Sequence, residues 1–490
     1  MCLNSTKNLS KELCDNLKEI DAHFKDCPDV IQKQVMLKES IEGCFIFIKN
    51  FVNIDLLQRD FIKPLLTMDY SILSSENIMA YIPSLDVSLC YDINTIVTSV
   101  LAGKTVFLVD RIEFAIMCDV IDVKNRAISE PDGEKNARGP HDGFIESIGS
   151  NVIMLRRKIK NNNLKFKALT LGNITNQKLS IAYIEGVANP ELLNTLYNKI
   201  KDINVDGLLS MGEVQQYIMD YKYSPFPQFM LTERPDKVVA GLLEGRFAVF
   251  LDGTPYVLIA PVSIFSFFHA PDDYISNWMV GTFMRLIRML GIVIAVVLPA
   301  LYILVTSFQY YLVPLNMLVQ LAQSRVQVAF PPIVEALLME LTIELLREAS
   351  VRLPTYIGTT IGVVGGIIIG QAAVNAGIVS NVFIIIVGLT AISSYVLPNY
   401  EFGLTILLLR FGLLIMAAFF GIVGLSVGIS AIIVHLLSLE SLGQPYLMPI
   451  FPLKISDLKD SIGRLPVQFM KKRPHIAKPI NDERGGKNEE

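Results

Sequence analysis

The sequence predicts a duplicated α/β soluble domain, then an α-helical transmembrane domain of about four spans plus an amphipathic or re-entrant helix, and finally a basic cytoplasmic tail. Three observations carry this. Of the 490 residues, 51% are hydrophobic, and the mean hydropathy is +0.44, more than a soluble enzyme needs. The excess is localised: residues 286–437 are strongly apolar, while residues 1 to about 280 and the last fifty mix charge with apolar groups. The third observation is a repeat within the soluble part. The expected divisions are a helical extension over 1–40, α/β subdomains over 41–127 and 165–280 joined by a linker over 128–164, a transmembrane domain over 281–440 and a tail over 441–490.

The N-terminal stretch "MCLNSTKNLSKELCDNLKEIDAHFKDC" is polar and has no apolar h-region, so no cleavable signal peptide is expected. The six cysteines (Cys2, Cys14, Cys27, Cys44, Cys90 and Cys118) form no C-x-x-C pair and have no histidine at ligand spacing. They read as reduced thiols of a cytosol-facing domain. No metal site, cofactor or catalytic residue is expected, and a net charge of −4 gives no reason to expect nucleic acid as a partner.

The repeat appears in two pairs of segments. "IFIKNFVNIDLL" (46–57) parallels "AYIEGVANPELL" (182–193): an apolar strand, a turn at Asn53 or Asn189, then Asp55 or Glu191 opening a helix. An acidic residue suits that first turn because it faces the positive end of the helix dipole. "VLAGKTVFLVDRIEFAIM" (100–117) parallels "LLEGRFAVFLDGTPYVLI" (242–259). Here a helix stops at Gly103 or Gly245, Lys104 or Arg246 leads into a strand, and Asp110 or Asp252 marks the next turn. Either the domain is duplicated over about 40–125 and 165–262, or two helix–hairpin units resemble each other by chance.

Between the copies, "ISEPDGEKNARGPHDGFIES" (128–147) is rich in Pro, Gly and charge and reads as a loop. It concentrates Arg138, His141, Asp142 and Glu146, yet holds no nucleophile elbow, P-loop lysine or H-E-x-x-H. "PFPQ" at 225–228 reads as a rigid extended connector.

Four apolar runs are candidate spans: Met289–Phe308, Ile357–Val374, Ile378–Leu397 and one within Leu404–Leu437. Arg285 and Arg288 flank the first, with Trp278, Tyr310 and Tyr311 as interfacial aromatics, and Pro299 should kink it. The last run is about 51 Å long as one helix at ~1.5 Å per residue. That exceeds the ~30 Å hydrocarbon core, so it either begins outside the core near Arg410 or hides two spans. The tail carries Lys454, Lys459, Arg464, Lys471, Lys472, Arg473 and Lys478 and should stay cytoplasmic. With an unexported N-terminal domain, the number of spans must be even.

From Pro332 to Pro354 the pattern is a helix with proline at both ends. Glu340, Glu344, Arg347 and Glu348 share one narrow face of it. This stripe is either the polar face of a helix at the membrane surface or inside an assembly, or the lining of an acidic vestibule that favours cations.

The stretch "YIGTTIGVVGGIIIGQAAVNAG" (356–377) places Gly358, Gly362, Gly366 and Gly370 on one face at about 100° per residue. Small residues there let membrane helices pack closely. Nearly opposite lie Thr360, Val364, Ile367, Gln371 and Asn375, polar at the ends and apolar at the centre. That stripe either hydrogen-bonds to neighbouring helices or lines a pore with a dewetting constriction at Val364 and Ile367.

Three segments are the most specific: "ISEPDGEKNARGPHDGF"; "SPFPQFMLTERPDKV" leading to "LLEGRFAVFLDGTPYVLIAPVSIFSFFHAPDDY"; and "FPPIVEALLMELTIELLREASVRLP" continuing into "IGQAAVNAGIVS". Over nearly its whole length the chain resembles the A-subunit family of spore germinant receptors. The resemblance implies a non-enzymatic spore inner-membrane protein acting with a transporter-like B subunit and a lipoprotein C subunit. It also implies a homo-oligomer, surrounded by membrane lipid, that conducts ions when the B subunit binds nutrient. A non-conducting scaffold, or a paralogous channel without a nutrient-binding partner, fits the same segments. A secondary transporter fits less well, because inverted repeats are not evident among the spans.

Overall fold

The computed structural model describes residues 8–49, 51–74, 76–83, 86–119, 134, 138–352, 366 and 368–485. The chain forms two units: Met1–Met219 with Phe229–Pro261 and Lys472–Glu490, and Asp220–Gln228 with Val262–Lys471.

The first unit is α/β and contains two five-stranded antiparallel sheets of one topology. β1 (Val30–Met36), β2 (Glu42–Ile48), β3 (Val87–Cys90), β4 (Thr105–Val109) and β5 (Ala115–Cys118) stand in the order β1-β2-β4-β5-β3. β6 (Leu164–Leu171), β7 (Gln177–Ile184), β8 (Met230–Thr232), β9 (Phe247–Leu251) and β10 (Val257–Ala260) stand in the order β6-β7-β9-β10-β8. The central strands β4, β5, β9 and β10 are buried at every residue, so both faces of each sheet are covered at its centre.

The duplication extends to individual hydrogen bonds. The helices of this unit include α1 (Leu13–His23), α2 (Ile93–Leu101), α3 (Ile148–Lys158), α4 (Pro190–Lys201) and α5 (Pro235–Leu243). Asn53 Oδ1 accepts from Asp55 N and Leu56 N, and Asn189 Oδ1 accepts from Glu191 N and Leu192 N. Gly103 and Gly245 end α2 and α5 at φ 101° and 91°, a conformation open to glycine without steric cost. Asn16 and Asn151 each close a local ring: Ser10 N and Ile145 N donate to their Oδ1 at 2.9 Å, and their Nδ2 groups donate to Ser10 O and Ile145 O at 2.6 Å. α1 and α3 are therefore equivalent, so each repeat starts with a helix upstream of the segments matched by sequence. The repeats join through Arg156 of α3, which is fully buried and donates to both oxygens of Asp29 at 2.9 and 3.0 Å.

The described cysteines are free thiols, with Cys14 exposed and Cys27, Cys44, Cys90 and Cys118 buried. Burial, with a contribution from Asp21, pushes the Cys44 thiol up to about 11. The C-terminal residues dock on the second repeat. Arg473 Nε donates to Leu243 O (2.8 Å) at the end of α5, Ile480 N to Val187 O (2.9 Å) and Asn189 Nδ2 to Lys478 O (3.2 Å), while Ile476 and Ala477 are buried.

The second unit is helical: α6 (Trp278–Ser307), α7 (Leu315–Arg325), α8 (Pro332–Arg352), α9 (Asn381–Tyr395) and α10 (Tyr400–Ser438). Only α6 and α10 are, among the described residues, long and apolar enough to cross a membrane. The expectation of about four spans is not met in that form. The expected span 357–374 lies largely outside the described residues, and α9 has 15 residues, about 23 Å at ~1.5 Å each. α6 runs unbroken through Pro299, the expected kink site. α9 lies antiparallel to α6: Phe383 is 4.7 Å from the Tyr302 ring, and Ser393 O is 3.4 Å from where a Cβ on Gly291 would stand.

α10 is not a single rod. Gly421 has φ 58° and ψ −137°, outside helical geometry, and the chain reverses there. A Cβ added to Gly428 would meet Leu413, and one added to Gly424 would meet Met416. Residues fifteen apart on one continuous helix would be about 22 Å apart. The long apolar run therefore hides two arms, one of the two alternatives its length had left open.

Candidate functional site

The helical unit is fastened by three buried ionic clusters and one aromatic cradle. The first cluster joins α6, α7, α8 and the start of α9. Glu335 is fully buried, pairs with Arg325, and accepts from Ser380 N (2.7 Å) and Tyr302 OH (3.3 Å). Tyr302 OH also meets Ser380 Oγ and Arg325 Nη1, each at 3.0 Å. Both carboxylate oxygens are satisfied, which a charge in an apolar interior requires.

The second cluster joins α8 to the first arm of α10. Arg410 lies 3.2 Å from Glu340 and 3.9 Å from Glu344, and Arg347 pairs with Glu344. The Glu340 and Arg410 side chains are 1% and 4% exposed. The charged stripe predicted on this helix thus splits in two. Glu340, Glu344 and Arg347 face Arg410, whereas Glu348 is exposed and receives Arg352 Nε at 3.0 Å.

The third cluster sits where α6 begins. Arg288 donates to Asp273 Oδ2 and Oδ1 at 2.7 and 2.8 Å, and Arg285 donates to Asp273 at 3.2 Å and to Asp460 Oδ1 at 3.0 Å. Arg464 donates to Ser276 O at 2.8 Å, and the Arg464 and Arg285 guanidiniums lie 5.3 and 5.2 Å from the Tyr274 ring. Burial alone would push the Asp273 carboxyl up. The hydrogen bonds and charge of Arg288, with Arg285 adding, outweigh it and hold the group below the usual carboxylate range. Arg285 and Arg288, read from sequence as flanking charges at the membrane surface, are buried partners of Asp273.

The aromatic cradle holds the segment expected to be an extended connector. Residues 220–228 belong to the helical unit, although the chain on either side of them is α/β. Phe226 is surrounded by Phe402, His435 and Tyr446 at centroid distances of 6.3, 5.9 and 6.4 Å. Thr405 Oγ1 donates to Pro225 O (2.6 Å), Tyr446 OH to Pro227 O (2.8 Å) and Ser441 Oγ to Gln228 O (2.7 Å), while Ser224 Oγ and His435 Nε2 are 2.9 Å apart. Proline carbonyls without a ladder partner need such donors when buried. The loop thereby touches both arms of α10.

Of the pore-lining candidates, Thr360, Val364 and Ile367 lie outside the described residues, as do Gly358 and Gly362 of the packing face. Gln371 and Asn375 are exposed and share a hydrogen bond of 3.4 Å. A Cβ on Gly370 would lie 3.9 Å from Ile384 of α9, whereas one on Gly366 would have nothing within 4 Å among the described residues. No group of three or more metal-ligating side chains occurs among the described residues. In the segment expected to be a linker, Glu134 receives Lys237 Nζ at 2.9 Å, and Arg234, fully buried, donates to Glu134 O and Pro140 O at 3.2 and 3.1 Å. Sequence reasoning named Arg410 only as a possible span boundary and missed its buried pairing, along with Glu335, Asp273 and the Phe226 cradle. An arginine inside an apolar run needs an acidic partner, and that signal could have paired Arg410 with a glutamate of α8.

A duplicated α/β unit joined to a helical unit with membrane-length apolar helices and internal ion pairs defines a membrane-associated protein of two units. Residues 18–476 match the family described as Bacillus/Clostridium GerA spore germination protein. Spore germination protein B1 of Bacillus subtilis (strain 168) is 38% identical over 88% of this chain and 90% of its own length. Spore germination protein KA of the same organism is 36% identical over 98% and 89%, and the uncharacterized membrane protein YfkQ is 35% identical over 99% and 95%. A crystal structure of the N-terminal domain of the A subunit of the Bacillus megaterium spore germinant receptor GerK3 matches at 28% identity and a TM-score of 0.39, covering 53% of this chain and 98% of that one. This chain belongs to the GerA spore germination protein family.

Proposed function

We propose that the chain is the A-type membrane subunit of a nutrient-sensing spore germinant receptor. Its copies oligomerise into a channel that releases monovalent cations when a partner subunit binds germinant. The partners are a transporter-like B subunit and a lipoprotein C subunit, in the spore inner membrane, with the α/β unit and the C-terminal residues on the cytoplasmic, core-facing side. The spans are even in number and at least four, with the arms of α10 counted as a pair.

Family membership supports the receptor role, and one observation supports the channel. Gln371 and Asn375 are exposed at the end of a strongly apolar stretch. Polar amides facing lipid are costly, so this edge belongs against a second copy or a water column. Thr360, Val364 and Ile367 continue the same stripe at helical spacing. A non-conducting scaffold is the second reading. It is favoured by the internal neutralisation of Glu335 by Arg325 and of Glu340 by Arg410.

Conductance of the purified full-length chain in a planar bilayer separates the two. Val364→Ala or Ile367→Ala should raise cation leak in a channel, and a scaffold passes no current with either variant. Gly366→Leu should break assembly while leaving the single chain folded, since no described atom lies near a side chain there. Normal assembly of that variant would remove the glycine face from the proposed interface.

A further inference from the structure

We propose that Arg410 is a tethered counter-cation: in the arrangement seen here it occupies the place at Glu340 that a monovalent cation takes when the channel opens. This rests on the conducting reading above and names how one of its charged sites is closed.

The three ionic clusters differ in how completely they are bonded. Glu335 has donors on both oxygens, and Asp273 receives a two-pronged guanidinium from Arg288. Both carboxylates are fixed, since a carboxylate with donors on each oxygen repays its desolvation, even though Nη2 of Arg285 and Nε of Arg464 beside Asp273 make no hydrogen bond among the described residues. Glu340 is different. Its Oε1 is buried and makes no hydrogen bond among the described residues, and neither does Nε of Arg410. The two groups, 3.2 Å apart, attract by charge with poor donor geometry. Of the acids at the centres of the three clusters, Glu335, Glu340 and Asp273, Glu340 alone has a buried oxygen with no donor among the described residues; that is a standing cost, and it makes Arg410 the exchangeable cation.

The surroundings suit exchange. Glu344 keeps Arg347 when Arg410 leaves, so withdrawal uncovers a single carboxylate rather than a repelling pair. Arg410 sits on the first arm of a hairpin that reverses at Gly421 and shares Phe402 and Thr405 with the Phe226 loop. A shift of that arm moves the guanidinium without unfolding α8. Charge balances in the exchange: one guanidinium leaves, one monovalent cation enters, and the site stays neutral.

The test uses full-length protein in vesicles of phosphatidylethanolamine and phosphatidylglycerol, with dicyclohexylcarbodiimide as an apolar carboxyl reagent and peptide mass analysis as the readout. In the wild type, Glu340 should resist modification. In Arg410→Gln it should react about tenfold more, as follows from removing one partner of a buried pair, while Glu344 stays protected. High K⁺ should slow that reaction and choline should not, and K⁺ efflux should rise. Glu340 that stays unmodified in an Arg410→Gln protein eluting like wild type, or equal protection by K⁺ and choline, overturns the proposal. If Arg410→Gln does not elute like wild type, Arg410→Lys is read instead: partial modification of Glu340 supports the proposal and none overturns it. Modification with K⁺ protection but no efflux from any variant supports the tether and overturns the conducting reading alone.

Discussion

Asp110 and Asp252 do the same work in the two halves of the α/β unit. Each carboxylate accepts the first backbone N–H of the helix that opens its own repeat, Leu13 N and Ile148 N, both at 3.1 Å. Those N–H groups have no partner inside the helix, and a carboxylate there also faces the positive dipole end. Asp110→Ala should cost about 1 kcal/mol and speed amide exchange in Leu13–His23 only. Asp252→Ala should do the same in Ile148–Lys158, and exchange spreading to both helices would mean the repeats are not separately capped.

Gly421 makes a second prediction, about the hairpin. Alanine there would hold a positive φ and place a Cβ 3.2 Å from the Phe308 ring. The expected loss is roughly 1–3 kcal/mol, seen as a lower melting temperature in detergent. Gly412→Ala, with open space around it, should be neutral or stabilising by up to about 1 kcal/mol.

Tyr446→Phe removes the donor to Pro227 O while keeping the ring among Phe226 and Phe267. Leaving a buried carbonyl unmet costs about 1–3 kcal/mol. The loop over 220–228 should then open more often, and trypsin should cut after the exposed Lys222 faster than in wild type. Tyr446 itself stays protonated in alkali, since burial raises it well above the usual tyrosine range.

Asp273 sets an acid limit. Its folded value lies below its unfolded one, so its stabilisation is present above about pH 4, the unfolded value. It is lost as pH falls through the lower folded value. Asp273→Asn should cost roughly 3–5 kcal/mol at pH 7, because it strands Arg288, and should flatten the fall in melting temperature below about pH 4. An unchanged acid slope in that variant would assign the sensitivity to another carboxylate.

What could be read from sequence was whatever local chemistry dictates. Asn53 and Asn189 cap helices within three residues, and Gly103 and Gly245 stop them, so the repeat was visible in short segments. The equivalence of α1 and α3 was not visible. Their shared features are Asn16 and Asn151 and two aspartates that reach them from 97 and 104 residues away. The hairpin was half legible: the length of the run demanded a break, but Gly403, Gly412, Gly421, Gly424 and Gly428 look alike until one of them takes a positive φ. The ionic clusters were hidden by distance, since Glu340 and Arg410 meet only after α8 and α10 pack. The reading of Arg285 and Arg288 as surface charges followed a rule that holds for unpaired cations near a membrane, and Asp273 removes that premise.

Lys472–Glu490 belongs to the α/β unit although it follows the described apolar helices α6 to α10. The end of α5 and the turn at Val187 find partners, Arg473 and Ile480, in residues that follow α10 in the chain. The α/β unit is therefore closed only by residues synthesised after the apolar helices. Until residues 473–480 emerge it carries an open seam, and a nonsense codon just after α10 would be felt in the folding of a domain begun hundreds of residues earlier.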